Sequence, residues 1–183
     1  MSSLYNQALQ DLSAVFDRID EKAVDAAVDV IGDAERIALY GVGREGLQIK
    51  GLAMRLFHLG LKASVVGDMT TPPVGKGDLL IVSAGPGSFS TVLGLMGEAK
   101  AAGAKTLVVT AQPNGEAAGR ADHVLTIPAQ TMADDRGART SVLPMGSLFE
   151  GAQYVLFEVI VLKLKERLAI SPETMRANHT NLE

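Results

Sequence analysis

Residues 36–59 read RIALYGVGREGLQIKGLAMRLFHL, and the order of events along them decides the fold. An apolar run from Arg36 to Tyr40 ends at Gly41, glycines follow at 43 and 46, and apolar positions at helical spacing run from Leu47 to Leu59. A short apolar run closed by glycine and followed by an amphipathic stretch is strand, glycine turn, helix. The same unit recurs downstream. Strands are expected over Ala63 to Val66, Leu79 to Ser83, Thr106 to Thr110 and Val124 to Ile127, with helices over Ser90 to Ala102 and Glu116 to Arg120. Alternation of this kind builds a parallel sheet covered on both faces. The expected fold is therefore α/β: a three-layer α/β/α sandwich on a five-stranded parallel sheet. Right-handed crossovers give it the flavodoxin-like strand order 2-1-3-4-5. In that order the first and third strands are neighbours, so the loops at 41–46 and 83–88 lie side by side at the strands' carboxyl ends, where open sheets bind ligands.

Upstream, Leu9, Leu12, Phe16 and Ile19, then Val24, Ala27, Val28 and Ile31, keep helical spacing, and two helices broken near Asp20 are expected over residues 1–33. The sheet core occupies 34–128. Residues 129–143, with Asp134, Asp135, Arg136 and Arg139, show no period and read as an exposed loop. A last helix is expected from Leu148 to Leu168 within the segment 144–168, and its apolar residues form more than one stripe, as for a helix that meets the sheet on one side and another subunit on the other. A polar tail, 169–183, closes the chain. With 183 residues, one domain over 1–183 is the expectation.

Composition narrows the function. Hydrophobic residues at 47% and charged residues at 21% argue for a folded protein. There is no cysteine, which removes disulfides, thiolate nucleophiles and cysteine-held metals. The three histidines show no metal-ligand spacing, so no metal or other cofactor is expected. The net charge is −4 without a basic cluster, which speaks against nucleic acid as a partner. No apolar run reaches the roughly 20 residues that span a bilayer, and the start of the chain is amphipathic rather than a secretory signal. A cytoplasmic location is expected.

Three segments carry candidate chemistry. In Gly41-Val42-Gly43-Arg44-Glu45-Gly46 the glycines let the backbone approach a ligand, and the helix start presents free N–H groups. The spacing is not that of a dinucleotide-binding fingerprint. In Ser83-Ala84-Gly85-Pro86-Gly87-Ser88, the hydroxyl of Ser88 is placed either to cap the next helix or to meet a ligand. In Leu143-Pro144-Met145-Gly146-Ser147-Leu148-Phe149-Glu150, Ser147 and Glu150 match the S-x-x-E capping box. A carboxylate at a helix start is also available as a base. His58 reads as a packed or surface histidine of its helix.

With these segments in view, the chain resembles the sugar isomerase (SIS) domain family, and within it the 6-phospho-3-hexuloisomerases. The resemblance rests on YGVGREG (40–46), AMRLFHLGLKASVVGDMTTP (53–72), KGDLLIVSAGPG (76–87), LPMGSLFE (143–150) and HTNLE (179–183). It implies a tetramer with sites near subunit contacts, and cofactor-free interconversion of 3-keto and 2-keto hexose 6-phosphates through an enediol. By this resemblance Glu150 is the base, His179 assists ring opening or oxygen protonation, and Gly43, Arg44, Glu45, Thr70, Thr71, Gly85, Gly87 and Ser88 surround the sugar. The pattern departs at three places: Glu45, Pro86 and Phe89 stand where hydroxyls usually hold phosphate. A carboxylate ~4 Å from one phosphate charge costs about 4 kcal/mol at an effective dielectric near 20. Glu45 is therefore expected to turn away, to be neutralised by Arg44 or another cation, or to face a ligand without phosphate. The alternative to an enzyme is a module of the same fold that binds a carbohydrate derivative without turning it over.

Overall fold

The computed structural model describes residues 2–137 and 141–182. Part of the 129–143 loop, residues 138–140, and Glu183 of the tail lie outside the described residues. The chain opens with α1 (Leu4–Phe16) and α2 (Glu21–Asp33), and the break falls at Asp20, whose side chain caps α2 by accepting from the Lys22 N–H at 3.0 Å. Then come β1 (Ile37–Gly41), α3 (Gly43–His58), β2 (Ala63–Val65), β3 (Leu79–Ser83), α4 (Ser90–Ala101), β4 (Lys105–Thr110), α5 (Glu116–Arg120), β5 (His123–Thr126), α6 (Ser147–Arg167) and α7 (Pro172–Ala177). All strands are parallel, in the order β2-β1-β3-β4-β5.

The sheet buries both faces. On one side Ile37, Leu39, Leu79, Ile81, Leu107 and Val109 pack with α2, α3 and α6; on the other Ala38, Leu80, Val82 and Val108 pack with α4 and α5. Alternate residues of each strand thus supply opposite cores, as a period of two requires. β3 is buried at every position. Its last residue, Ser83, pairs in register with Gly41, the last of β1, so the two glycine-bearing segments meet at the carboxyl ends as expected.

Three expectations need correction. The segment 41–46 is not a loop throughout: α3 begins at Gly43, because a glycine at 46 lets the helix start press onto the strand end. A Cβ there would lie 2.5 Å from the Gly41 carbonyl oxygen. The loop after β5 is not wholly exposed. Ala129 and Thr131 are buried, Thr131 donates its N–H to Asp134 Oδ1 at 2.8 Å, and Asp11 of α1 accepts from Ser141 Oγ and the Val142 N–H. The tail contains a helix: Ser171 caps α7 through the Thr174 N–H, Pro172 begins it, and Asn178 donates to the His58 carbonyl at 3.0 Å.

Candidate active site

The candidate site forms where the start of α3 and the start of α6 meet above the ends of β1 and β3. Gly43 (φ +57°) and Gly146 (φ +83°) take left-handed backbone conformations immediately before these helices gather their side chains. Arg44, on the first turn of α3, reaches across to α6. Its guanidinium donates to Ser147 Oγ at 2.9 Å and to the Met145 carbonyl, and its Nε lies 3.2 Å from Glu150 Oε2. Glu150 keeps 15% of its side-chain surface exposed against 45% for Arg44, so the carboxylate is the sheltered partner.

The expected capping box is not formed. Gly146 is the N-cap of α6 and has no side chain, Ser147 is already the first helical residue, and no side chain caps the helix. The motif is thus displaced by one position, which turns Ser147 and Glu150 towards Arg44 instead of back onto the backbone. Burial raises the pKa of Glu150 above the ordinary carboxylate value, the Arg44 charge opposes this, and the Glu45 charge adds to the rise. A carboxylate so balanced can take a proton from carbon and return it.

Glu45 turns away from the crevice, the first of the three outcomes expected for it. It is buried, and its Oε2 accepts from Ser83 Oγ at 2.5 Å and from the Gly85 N–H at 2.9 Å. Arg44 does not neutralise it, being engaged with Glu150. Ser83 in turn accepts from Gln153 Nε2 at 2.8 Å, while Gln153 Oε1 has no hydrogen-bond partner. Gly85 has no room for a side chain, since a Cβ would stand 2.9 Å from both Glu45 Oε1 and the Phe149 ring. Gly87 (φ +95°) closes the turn with its N–H on the Ala84 carbonyl. Ser88 does not cap α4; the N-cap is Phe89, and the Ser88 hydroxyl is turned to Glu116 at 3.3 Å. The start of α4 is therefore uncapped, with Ser90 and Thr91 exposed.

Other candidates lie elsewhere in the chain. Thr70 lines a hollow of about 580 Å³ with Phe57, Ser64 and Asn178, and Thr71 donates its hydroxyl to the Val65 carbonyl at 2.6 Å. His179 stacks on His58, ring centroids 5.0 Å apart, in a hollow of about 740 Å³ with Arg55, Lys165 and Arg176. His58 stands 14 residues beyond Arg44 on α3, roughly 21 Å along the axis. Within one chain, then, Arg44, Glu45, Gly85 and Glu150 are brought together and His179 is not. Gln153 escaped the sequence reading. Its signal was a polar residue at the four-residue spacing of Phe149 and Phe157, on the face of α6 that is buried.

The family model of the SIS domain matches residues 31–150. A 3-hexulose-6-phosphate isomerase of Mycobacterium gastri is 36% identical over 99% of this chain and 89% of its own length. One of Methylomonas aminofaciens is 33% identical over the full length of both chains. Among solved structures, a hypothetical protein of Methanococcus jannaschii, whose structure infers a molecular function of 3-hexulose-6-phosphate isomerase, superposes with a TM-score of 0.84 at 28% identity over 98% of each chain. The chain belongs to the SIS domain family.

Proposed function

We propose that this protein is a sugar-phosphate isomerase that interconverts 3-keto and 2-keto hexose 6-phosphates, with Glu150 as the base. The observation that carries the reading is the Arg44–Glu150 pair, a sheltered carboxylate oriented by a guanidinium above the ends of β1 and β3. The full-length likeness to enzymes named for this reaction supports the substrate. In the open-chain sugar, Glu150 takes the proton from C2 and the electron pair forms the C2=C3 bond of an enediol. The same carboxyl, its proton exchanged with solvent, protonates C3 while the O2 proton passes to O3, so that O2 becomes the carbonyl and O3 a hydroxyl. Arg44 holds the carboxylate and offers positive charge to the oxygen that becomes negative. Because Glu45 faces inward, no carboxylate from 45 opposes a phosphoryl group, and the uncapped first turn of α4, with Ser90, Thr91 and nearby Ser88, is the surface suited to it.

His179 completes this site from a second copy in a homo-oligomer, a tetramer by family resemblance. The exposed apolar side chains of α3 and α6, Leu47, Met54, Phe57, Tyr154 and Leu162, support such a contact. No described helix is long and apolar enough to cross a membrane. A sugar phosphate carries charge that a bilayer excludes, so the enzyme works beside its substrate in the cytoplasm.

The test is turnover in deuterium oxide. A 3-keto hexose 6-phosphate should yield the 2-keto isomer with deuterium at C3. A second reading, binding without turnover, draws on the Gly85 N–H being occupied by Glu45 rather than open to a ligand. It predicts a raised melting temperature with the sugar and no product.

A further inference from the structure

The first turn of α3 carries a second carboxylate to which the proposed chemistry gives no task. Glu45 follows Arg44 in sequence but points into the protein and is only 7% exposed. Its hydrogen bonds form one directed run across three elements: the Gln153 amide of α6 donates to the Ser83 hydroxyl of β3, which donates to the Glu45 carboxylate of α3. The other carboxylate oxygen and the Phe149 ring both border Gly85, where an added Cβ would stand 2.9 Å from each. Phe149 precedes Glu150, and Gln153 stands three residues after it on the same helix. Glu45 is therefore tied, through Ser83 and Gln153, to the helix that carries the proposed base.

Hydrogen bonding alone does not explain a carboxylate there. A neutral amide of the same shape would accept from Ser83 and Gly85 equally well, without the cost of burying a charge. No cation among the described residues offsets it; burial raises its pKa and only the Ser83 and Gly85 hydrogen bonds oppose the rise. What the carboxylate adds over the amide is charge, which acts on Glu150. Among the described residues, two charges act on Glu150. Arg44 and Glu45 face it from α3, and β3 and its loop offer only Ser83 and backbone. On the α1 side Asp11 is engaged with Ser141 and Val142. Farther along α6, Glu158 is held by Arg55, while Lys163 and Arg167 pair with acidic residues of α2.

Resting on the reading of Glu150 as the base, we propose that Glu45 is a positioning residue: its buried carboxylate, bonded to Ser83 and Gly85 and through Ser83 to Gln153, fixes the first turns of α6 against β3, and its negative charge opposes that of Glu150. Arg44 and Glu45, adjacent in sequence, thus act on one carboxylate with opposite sign. The guanidinium orients Glu150 and weakens it as a base; the buried carboxylate restores its strength.

Glu45→Gln tests this, since glutamine retains both hydrogen-bond acceptances and the volume. The side-chain carboxyl of Glu150, labelled with carbon-13 and assigned by its loss in Glu150→Gln, should titrate at lower pH in Glu45→Gln than in the wild type. The acid limb of kcat/KM should move the same way. A Glu150 titration curve unchanged in the folded variant would overturn the proposal. If Glu45→Gln does not fold, the wild type decides: Glu150 must show a second step at the pH where the Glu45 signal itself moves, and a single step would overturn it. The carboxyl titration needs no substrate. Absence of isomerase activity would therefore refute the proposed function while leaving this coupling to stand or fall by itself.

Discussion

Arg44 shows how much one side chain decides here. It makes three contacts with the entry of α6, two of them to Glu150 and Ser147, and a lysine cannot reproduce a planar fork. Arg44→Met should leave Glu150 sheltered without its counter-charge. The pKa of Glu150 then rises, and the acid limb of the rate profile should move to higher pH, opposite to Glu45→Gln; movement to lower pH would contradict the assigned signs. Folding stability offers an independent reading. The Glu45 carboxyl has its pKa raised above its ordinary value of 4.5, so over the window above 4.5 the folded chain binds more protons than the unfolded one. Its contribution is fully present below that window and is lost as pH rises through the folded value. Urea midpoints of Glu45→Gln and wild type should therefore diverge in favour of the variant as pH rises through the window, then run parallel. A difference independent of pH would show that the carboxylate is not perturbed by burial.

At the scale of elements, glycines decide where helices begin. Gly46→Ala sets a methyl 2.5 Å from the Gly41 carbonyl oxygen, backbone that cannot yield cheaply, and should destabilise by about 1–3 kcal/mol in a denaturant melt. Gly97→Ala in α4 meets nothing within 4 Å and should stabilise by about 0.5–1 kcal/mol. Equal effects would show that packing at the β1–α3 junction is not what requires glycine. The strands and most helices were legible because period-two and period-3.6 patterns record burial on this sheet: β3 from Leu79 to Ser83 and α5 from Glu116 to Arg120 fall where their patterns put them. The starts of α3 and α6 were not. The S-x-x-E spacing at Ser147 and Glu150 is satisfied by letters but displaced by Gly146, whose backbone conformation is no property of spacing. α7 was missed because six polar-rich residues carry almost no periodicity, although Ser171 and Pro172 are a sound start signal.

For the whole molecule, the sheet order and the juxtaposition of residues 41–46 with 83–88 followed from the strand–helix alternation and the right-handed crossover rule. Which side chains converge did not, since contacts between α3 and α6 join residues about a hundred positions apart. His179, stacked on His58 far from Glu150 in its own chain, can serve the proposed site only from another copy. Mixed oligomers of Glu150→Gln and His179→Gln chains should then regain part of the activity that each parent lacks, by pairing an intact glutamate with an intact histidine. No recovery after mixing and re-assembly would remove His179 from the site. The base itself can be tested most directly. Glu150→Gln breaks an ion pair whose arginine is half-exposed, a change of about 1 kcal/mol or less in stability, so the protein should remain folded. With 3-keto hexose 6-phosphate in deuterium oxide, the wild type should give the 2-keto isomer labelled at C3, and Glu150→Gln should turn over roughly 10²–10⁴ times more slowly while still binding the sugar. Undiminished turnover in Glu150→Gln would contradict the account and assign the proton transfer to another residue.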